Sequence, residues 1–352
     1  MENKLNFSDV QPLLTIAIPT WQRAPFLALT LAQLYREIIA LPGDVHDQVE
    51  ILVSDNASPD DTPGVVARAQ ASGLRLNYVR NTENIGSDAN IAQCFNLAQG
   101  QYVLILGDDD LLTDGTLTWL WQTLMRKTWG VVCLRAYGFN QDFRREYPGS
   151  GGKDREFTDA GEFIVAIGSF IALISSCVIN KQLLSGVDAQ QFCGGNLVQV
   201  HLVLRAALKA PVNLFSMRYL IAYQRNNAGF YDFSKVLVLE LGRILDSYQE
   251  HGLPSVAIRR FENRLLLGYY PFYLLRQRFE RLGDRQLTLS RFTERFHHHW
   301  LFRLCLAPIL QWPRPLALVW GAGVTFIGRV ISGDLWRGIM FMWNRILSNI
   351  KK

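Results

Sequence analysis

An α/β fold, in which a mainly parallel sheet is flanked by helices on both sides, is the class that the sequence predicts. From residue 12 to residue 139 short apolar runs alternate with stretches of helical periodicity, the pattern of strand–helix–strand units. The chain has 352 residues, of which 49% are hydrophobic. It is therefore long and apolar enough to bury a large core, and its length predicts about two domains.

Five apolar runs are the candidate strands, and four helical patterns lie between them. The runs cover residues 13–19, 49–55, 76–80, 102–108 and 130–139. The helical patterns cover residues 24–39, 61–72, 88–99 and 115–127. The third helix is the clearest, because Ser87 can cap its start, Ile91 and Phe95 share a face, and Gly100 follows its end.

Three consecutive aspartates, Asp108, Asp109 and Asp110, follow the fourth apolar run in the stretch LILGDDDLL. Neighbouring carboxylates repel one another and are costly to desolvate unless a cation is bound. A solvated turn is the alternative interpretation, because Asp is common in turns. An aspartate cluster at the carboxyl end of a central strand, however, stands where an α/β sheet binds its ligands.

The ends of three strands are expected to meet at one crevice. If the first strand lies beside the fourth, where the strand order reverses, their carboxyl ends at Pro19-Thr20 and at Asp108 flank this crevice. The second strand ends beside it at Asp55, in SDNASPDD. The chain has neither a Gly-rich dinucleotide fingerprint after the first strand nor a P-loop pattern. An acidic site of this kind is expected to bind a nucleotide diphosphate through a bridging Mg²⁺ or Mn²⁺.

Charge is distributed unevenly along the chain. Residues 255–352 contain 16 Lys and Arg against 5 Asp and Glu, or +11, whereas residues 1–254 contain 20 against 26, or −6. Arginines dominate the basic part and alternate with tryptophans at positions 300, 312, 320, 336 and 343. This mixture suits an anionic membrane surface or nucleic acid. Because no nucleic-acid-binding module is recognisable, we expect the membrane surface and no nucleic acid.

The cysteines and the N-terminus favour a reducing compartment. Five cysteines are scattered along the chain without a CxxC pair, so neither a disulfide framework nor a zinc site is indicated. The first 14 residues, MENKLNFSDVQPLL, lack the basic and apolar regions of a secretory signal. We therefore expect a cytosolic location.

Four motifs between residues 13 and 112 resemble those of the family 2 glycosyltransferases, which have the GT-A fold. IPTWQR (18–23) resembles the opening IPTYNR of that family, and SDNASPDD (54–61) resembles its DDGS or DNAS element. RNTENIGSDAN (80–90) resembles its N-x-G-x-x-x-N helix start, and GDDD (107–110) its metal-binding DXD. Within that family, the motif residues are most similar to those of the abequosyltransferase-like group, which adds dideoxy sugars to bacterial O-antigen intermediates.

The resemblance implies a role for each motif residue. Thr20 and Arg23 would line the nucleotide pocket, and Asp55 would accept a hydrogen bond from the base or the ribose. Asp108 would face the ribose or the metal and Asp110 would be the main metal ligand, although which two of the three aspartates take the DXD roles stays open. The set implied for the nucleotide sugar is Pro19, Thr20, Arg23, Asp55, Arg80, Asn84, Asn90 and Asp108, and the set implied for the metal is Asp108, Asp109 and Asp110.

Three of these residues have a purely structural alternative. Asn84 can end a turn, and Asn90 can support the start of a helix. Arg80 can be an ordinary surface charge. The residue types alone do not decide between these roles and contact with the diphosphate or ribose.

The catalytic motif of the family is altered in this chain. Family 2 members usually carry E-D-x-D-L-x-x-R downstream of the DXD, where an aspartate deprotonates the acceptor, and the matching stretch here is VQVHLVLR (198–205). Gln199 takes the place of that aspartate and cannot act as a base. His201 takes the second acidic place, where an imidazole can be a base, a metal ligand or a satisfied core histidine. Asp154 and Asp159 are further candidate bases, and a retaining reaction without a base there is the other possibility.

The C-terminal region has the composition of a membrane-associating segment. Residues 255–282 combine an apolar and aromatic face with arginines, which is typical of an interfacial helix. The apolar stretch 315–328 has 14 residues between two arginines, too few to span a bilayer of about 30 Å. The alternative is a helical subdomain that packs on the catalytic core with a basic outer face.

These observations predict two domains and one principal function. Residues 1–225 are expected to form the GT-A catalytic domain, and residues 226–352 a helical region that binds the membrane. We expect a metal-dependent glycosyltransferase that moves a sugar, such as a dideoxyhexose, from a nucleotide diphosphate donor to a lipid-linked saccharide of O-antigen or another surface polysaccharide. It would act at the cytoplasmic side of the inner membrane as a peripheral or monotopic protein. The alternative, suggested by Gln199, is a non-catalytic GT-A module that binds nucleotide or glycan.

Overall fold

The chain divides into two compact units, Met1–Phe230 and Tyr231–Lys352. The sequence predicts the domain boundary between residues 225 and 226. Most of the N-terminal stretch of 14 residues, which was compared with a secretory signal, lies outside the described residues. The tryptophans at 336 and 343 also lie outside them. The computed structural model describes residues 11–149, 151–225 and 232–331.

Within its described residues the first unit contains a nine-stranded mixed sheet. Its strands are β1 (Leu14–Thr20), β2 (Val49–Asp55), β3 (Asn77–Arg80), β4 (Tyr102–Ile105), β5 (Asp110–Leu112), β6 (Val131–Phe139), β7 (Arg155–Phe157), β8 (Cys177–Asn180) and β9 (Asn213–Gln224). Their order across the sheet is β3-β2-β1-β4-β8-β6-β9-β5, and β7 pairs with β9. The predicted α/β class is confirmed.

The helices of the first unit flank this sheet. In its described part the α-helices are α1 (Ala24–Ile39), α2 (Thr62–Ala71), α3 (Ser87–Leu97), α4 (Thr116–Arg126), α5 (Ala160–Ile167) and α6 (Val198–Lys209). Short 3-10 helices cover Gly43–Gln48, Gly168–Ala172, Ile174–Ser176, Lys181–Leu184 and Ala189–Phe192. The four helices predicted before residue 130 are all present. Ser87, expected as a cap, is instead the first residue of α3 and follows Gly86, whose φ is 88°.

The half of the sheet that carries the predicted site is parallel. β1 lies between β2 and β4 and is parallel to both, with Thr20 opposite Asp55 and Leu14 opposite Tyr102. The predicted pairing of the first and fourth strands is therefore confirmed, and the carboxyl ends of β1, β2 and β4 lie at one edge. All residues of β2 are buried, as expected for a strand covered on both faces.

The other half of the sheet contains antiparallel pairs that the sequence analysis did not predict. β8 lies between β4 and β6 and is antiparallel to both, and β5 and β7 are antiparallel to β9. β4 ends at Ile105, before the predicted end at residue 108. The chain turns there, because the N–H of Asp110 donates to the carbonyl of Gly107 over 3.1 Å, and it re-enters the sheet as β5.

The second unit is helical in its described residues. Its α-helices are α7 (Leu241–Ser247), α8 (Ser255–Gly268), α9 (Tyr270–Glu280), α10 (Arg285–Phe296), α11 (Ala307–Gln311) and α12 (Arg314–Ile331). Segments with π-helical hydrogen bonding precede α7 and α11, at Lys235–Glu240 and Phe302–Leu306. The predicted helical C-terminal region is confirmed, although residues 255–282 form two helices, α8 and α9, rather than one.

Helix α12 packs against α8 and α9 through small residues and leaves its other face exposed. A Cβ atom on Gly328 would lie 1.9 Å from the carbonyl oxygen of Leu267, so only glycine permits this approach. With 18 residues and a mean hydropathy of 1.2, α12 is a candidate membrane span by length and composition, and only 22% of it is buried. It is longer than the apolar stretch identified in the sequence. Its exposed apolar residues are Leu316, Val319, Trp320, Phe326, Ile327, Val330 and Ile331.

Candidate functional site

Asp108 lies buried at the crevice between the carboxyl ends of β1 and β4. The hydroxyl of Thr20, the last residue of β1, donates to Asp108 Oδ2 over 2.8 Å. The guanidinium of Arg23, just before α1, donates to Asp108 Oδ1 over 2.9 Å and lies 3.3 Å from Asp109 Oδ2. The fold therefore brings the IPTWQR residues against the aspartate cluster, which follows them by more than 80 positions.

The other two aspartates differ in exposure. Asp109 is partly exposed, with 14% of its side-chain surface accessible. Asp110, the first residue of β5, is buried and accepts a hydrogen bond from the hydroxyl of Ser175. Ser175 Oγ also accepts from the N–H of Gly107 over 2.9 Å. Among the described residues no three His, Cys, Asp or Glu side chains are grouped as a ready-made metal site.

Burial makes negative charge costly in this cluster. It raises the pKa of Asp108 to about 6, although Arg23 and Thr20 act in the opposite direction. Burial, and then the charge of Asp109, raises the pKa of Asp110 to about 7. Burial lowers the pKa of Arg23, but Asp108 and Asp109 outweigh it and leave that pKa raised. One guanidinium therefore does not neutralise the cluster, which favours uptake of a further cation.

One face of α1 holds the aspartate segment in place. Thr30, Gln33 and Glu37 are three and four residues apart, so they lie on the same face of the helix, and all three are buried. Thr30 donates to the backbone carbonyl of Asp108 over 2.8 Å, and Gln33 donates to that of Leu112 over 3.1 Å. Glu37 accepts hydrogen bonds of 2.9 Å from two backbone N–H groups at the start of α4. Helix α1 thus fixes the chain from the aspartates to α4.

Asp55, at the end of β2, is completely buried and engaged by protein groups. It accepts hydrogen bonds from the N–H of Ser58 over 2.8 Å and from the phenol of Tyr78 over 2.6 Å. Arg80 lies 3.4 Å from the second carboxylate oxygen and donates to the carbonyl of Ser58 over 2.9 Å. Asp55 therefore stabilises the loop after β2, and its contact with a base or ribose stays a prediction.

Asn84 and Asn90 join the loop before α3 to β2. The side chain of Asn90 accepts from the hydroxyl of Ser54 over 2.6 Å and donates to the carbonyl of Ser54 over 3.0 Å. Asn84 Oδ1 accepts from the amide of Asn56 over 2.8 Å and from the N–H of Gly86 over 2.9 Å. These bonds are the ones expected if Asn84 ends a turn and Asn90 supports the start of a helix, the structural roles considered in the sequence analysis. Contact of either asparagine with a diphosphate stays a prediction.

Gln199, the second residue of α6, is buried with one polar atom unsatisfied. Its Nε2 donates to the carbonyl of Ala172 over 2.9 Å. Its Oε1 is buried and has no hydrogen-bond partner among the described residues. An unpaired buried acceptor is costly, so a hydrogen bond to this oxygen would stabilise the protein.

His201 lies two residues after Gln199 and therefore on a different side of the same helix, and it stacks on an aromatic ring. Its imidazole and the ring of Phe192 have centroids 4.6 Å apart and are tilted by 8°. The guanidinium of Arg205 lies 4.9 Å from the centroid of the same ring. Burial, and then the charge of Arg205, lowers the pKa of His201 to about 4. The imidazole is therefore neutral near pH 7 and able to accept a proton.

The two alternative bases have local structural roles. Asp154 accepts from the hydroxyl of Ser216 over 2.7 Å and from the N–H of Met217 over 3.2 Å. Asp159 caps α5 by accepting from the N–H of Glu162 over 2.7 Å. Both carboxylates are thus accounted for by stabilisation of the fold.

A match to known proteins covers the elements that build this crevice. Residues 15–184 match the family described as glycosyl transferase family 2. The chain carries a family 2 glycosyltransferase domain. The family that the four motifs predict is thereby confirmed, and the crevice of Thr20, Arg23 and Asp108 lies within the matched residues.

Two relatives of the family 2 domain come from bacteria. One, from Campylobacter jejuni, is named GalNAc(5)-diNAcBac-PP-undecaprenol beta-1,3-glucosyltransferase and is 33% identical over 182 residues, 49% of this chain and 54% of that protein. The other, abequosyltransferase RfbV of Salmonella typhimurium, is 26% identical over 191 residues, 50% of this chain and 55% of that protein. The chain spans about half the length of these curated relatives.

Solved structures share the fold over most of the chain. Staphylococcus aureus TarS 1-349 has a TM-score of 0.58 at 14% identity, covering 91% of each chain. The mannosyltransferase PcManGT of Pyrobaculum calidifontis, solved with GDP-Man and Mn²⁺, has a TM-score of 0.52 at 18% identity, covering 94% of this chain and 88% of that one. At these identities the likeness concerns the fold, and the predicted GT-A fold is confirmed.

The family 2 domain has donor atoms that fit Mg²⁺ or Mn²⁺. Carboxylate oxygens are the ligands these ions prefer, and Mg²⁺ at nucleotide sites takes one or two carboxylates together with substrate phosphates. The partly exposed carboxylate of Asp109 is the one that faces outward, while Asp108 and Asp110 are buried behind it.

Sequence analysis missed Tyr78 and Ser175, which position the family 2 site. Tyr78 binds Asp55, and Ser175 binds Asp110. A signal for Tyr78 was present, because Tyr78 and Arg80 are two residues apart in a strand and so share one face. Ser175 lies 65 residues from Asp110 in a part of the chain without a recognised motif, so no sequence signal joined them.

Proposed function

We propose that this protein is a glycosyltransferase that moves a sugar from a nucleotide diphosphate donor to a lipid-linked saccharide. The observation that carries the proposal is the crevice at the ends of β1 and β4, where Thr20, Arg23 and three aspartates converge inside a family 2 domain. The crevice combines excess carboxylate with one guanidinium, which suits a metal-bound diphosphate.

In this proposal Mg²⁺ or Mn²⁺ is held by Asp109 together with Asp108 or Asp110. When bound, the ion would neutralise the departing diphosphate. Arg23 would turn its guanidinium from the aspartates toward a donor phosphate, as arginine forms strong hydrogen bonds to either anion. Thr20 and the loop held by Asp55 would shape the pocket for the nucleoside.

His201 is proposed as the catalytic base or as a metal ligand. Gln199 is proposed to orient the donor sugar or the acceptor. The lowered pKa of His201 keeps its imidazole neutral near pH 7, which is the form that a base or a metal ligand requires, so a bound acceptor would have to raise this pKa for efficient proton transfer. The unsatisfied Oε1 of Gln199 would accept a hydrogen bond from a sugar hydroxyl. Positioning of the acceptor oxygen for attack would then carry much of the rate acceleration.

The second unit is proposed to bind the cytoplasmic face of the inner membrane. The exposed face of α12 carries Val319 and Ile331, with 76% and 67% of their surface accessible, and arginines at 314 and 329 stand near its two ends. An amphipathic helix with an apolar face and basic flanks lies in the interface between lipid head groups and acyl chains. A protein so attached would meet a lipid-linked acceptor at the surface, as the name of the Campylobacter relative suggests.

The name of the Salmonella relative suggests abequose, a dideoxyhexose, as the transferred sugar, and the motif resemblance implies O-antigen or a similar surface polysaccharide as the product. A thermal-shift screen of nucleotide sugars with Mn²⁺ tests the donor. A donor at 100 times its Kd adds about 2.7 kcal/mol of stability. The donor so found should release nucleotide in the presence of a lipid-linked saccharide.

A non-catalytic GT-A module that binds nucleotide or glycan is the second candidate function. It is favoured by Gln199, which stands where the family has its base. Nucleotide release separates the two functions, because a binding module gains stability from a nucleotide sugar but does not cleave it. Absence of release with every stabilising donor and with native lipid extract as acceptor would reject the enzyme.

A further inference from the structure

A cavity of about 520 Å³ lies at the edge of the sheet, outside the crevice. Its size falls in the range of about 300–1,000 Å³ that is typical of ligand pockets. Its walls come from the end of β5, from α4, from the chain before β7 and from β9. The side chains that matter below are those of Trp119, Tyr147, Lys153, Asp154 and Arg218.

The cavity exists because β9 has an uncovered interval along one edge. β5 pairs with residues 221–223 of β9, and β7 pairs with residues 213–215. Between them β9 departs from regular pairing with its other neighbour, β6, because the register shifts between Cys133 and Arg135. Bulges of this kind redirect side chains and are common beside functional sites.

Hydrogen bonds hold the irregular interval open. Asp154 Oδ1 accepts from Ser216 Oγ over 2.7 Å and from the N–H of Met217 over 3.2 Å, and so takes the place that a paired strand would fill. Arg218 then projects beside Trp119, with its guanidinium 5.9 Å from the ring centroid. The bulge therefore builds one wall of the cavity.

The lining combines aromatic rings with mostly paired charge. Trp119 is only partly buried, and Tyr147 is 40% exposed. Of the lining carboxylates, Asp114 is engaged by Arg144 through two bonds of 2.7 Å, and Asp154 is engaged by the bulge. Arg218 lies 3.8 Å from Asp154 Oδ2, so each of these two acids has an arginine partner and Lys153 is left as the excess lining charge. Such a surface carries mostly paired charge, and it offers flat rings with polar groups around them.

We propose that this cavity is a second saccharide-binding site, which holds a neutral part of the acceptor glycan at a distance from its reacting hydroxyl. A pyranose presents an apolar face for the rings of Trp119 and Tyr147, and its hydroxyls exchange hydrogen bonds with Lys153, Asp154 and Arg218. The choice of a glycan as the ligand rests on the proposed function.

The position of the cavity fits an oligosaccharide that reaches from the crevice. β5 begins at Asp110 and runs to Leu112, and the next residue, Thr113, lines the cavity. Three residues of an antiparallel strand cover roughly 10 Å. A glycan of several rings spans that distance along the edge of the sheet, whereas a monosaccharide does not.

Saturation-transfer NMR of the full-length protein with a panel of neutral oligosaccharides tests the site directly, without any nucleotide sugar. We expect at least one oligosaccharide to bind, and Trp119→Ala or Tyr147→Ala to weaken that binding at least tenfold. The control Trp300→Ala removes an exposed tryptophan of the second unit and should bind as the wild type does. If Trp119→Ala unfolds, the surface variant Lys153→Gln/Arg218→Gln replaces it.

Binding that survives Tyr147→Ala and Lys153→Gln/Arg218→Gln would overturn the proposal, and so would the absence of binding by any oligosaccharide in the panel. Kinetics give an independent readout: these variants should raise the KM for an oligosaccharide acceptor tenfold and leave kcat unchanged, because binding far from the reacting atoms is uniform. Failure of the proposed function looks different, because the wild type would then release no nucleotide while its glycan binding could still be measured.

Discussion

In the first unit the unusual residues are charged and buried, whereas in the second unit they are apolar and exposed. Asp55, Asp108 and Asp110 are each at least 95% buried at the crevice, and Ile327 and Ile331 on α12 are more than half exposed. Folding alone favours the reverse of both arrangements, because buried charge is costly and exposed apolar surface loses the gain of burial. Buried polar groups and exposed apolar patches are therefore the places to look for ligands.

The comparison also indicates what each unit binds. Burial raises the pKa values of Asp108 and Asp110 in the first unit, so a bound cation or a bound proton would stabilise these carboxyl groups. The exposed face of α12 is flanked by Arg314 and Arg329, which supports the proposal that the second unit binds an apolar and anionic surface. The experiments below test these two inferences separately.

Removal of one crevice carboxylate should have the largest effect. We expect Asp110→Ala to lower turnover at least a hundredfold, about 2.7 kcal/mol in the activation barrier, while the fold stays intact or gains stability because three crowded carboxylates become two. The control Asp61→Ala removes an exposed aspartate paired with Arg68 and should keep full turnover. Full activity of Asp110→Ala in EDTA would show that the cluster holds no catalytic metal.

Separate substitution of Gln199 and of His201 on α6 should distinguish proton transfer from orientation. We expect His201→Ala to cost at least a hundredfold in kcat, because it removes the neutral imidazole. Gln199→Ala should cost less than tenfold, under about 1.4 kcal/mol, because it removes one orienting acceptor. Steady-state kinetics with the same donor and acceptor decide the ranking. The opposite order would assign the larger role to Gln199.

Charges on the outer face of α12 should weaken membrane binding. We expect Val319→Glu/Ile327→Glu to lower co-sedimentation with anionic vesicles about tenfold. Each glutamate removes an apolar contact with the lipid and adds a negative charge that anionic lipids repel. The matched control Leu29→Glu/Met125→Glu places two charges on exposed apolar residues of the first unit and should pellet as the wild type does. Equal pelleting of both variants, or none by the wild type, would remove the membrane role of α12.

Acid should destabilise the first unit slightly through His201. Its folded-state pKa of about 4 is below the ordinary value of 6.5, so the unfolded chain binds more protons between these values. The stability is present above pH 6.5 and is lost as the pH falls toward 4. The buried carboxyl groups of Asp108 and Asp110, whose pKa values are raised, act in the opposite direction, so the effect of His201 is read as a difference. In thermal unfolding at several pH values, the wild type should lose more stability, or gain less, than His201→Gln. A parallel decline in both would indicate that the imidazole is not buried in solution.

The parallel half of the fold could be predicted because its signals are local. β1 and β2 are mainly apolar runs, and the helices between residues 24 and 126 show clear periodicity. β5 and β8 have only three and four residues, so they lack a pattern of their own. β9 has twelve residues, but its alternation is interrupted at Ser216–Arg218, where the bulge lies. These strands are defined by long-range pairing rather than by local sequence.

In the candidate site, likewise, the residues placed by the parallel strands could be predicted, and those placed by long-range contacts could not. Thr20, Arg23 and Asp108 come together because their strands are adjacent in a parallel sheet, which the topology rule anticipates. The partners of Asp55 and Asp110 depend on side-chain contacts that no motif records. The unsatisfied acceptor of Gln199 is likewise visible only once the loop containing Ala172 is in place.

The three polar residues on one face of α1 have a consequence for the motions of the crevice. Two backbone amides at the start of α4 donate to Glu37, and the carbonyl of Asp108 accepts from Thr30. These amides are protected from exchange with water while Glu37 accepts from them, so we expect them to exchange slowly. We also expect the aspartate segment and α1 to open together, so that the crevice is about as rigid as the helix that supports it.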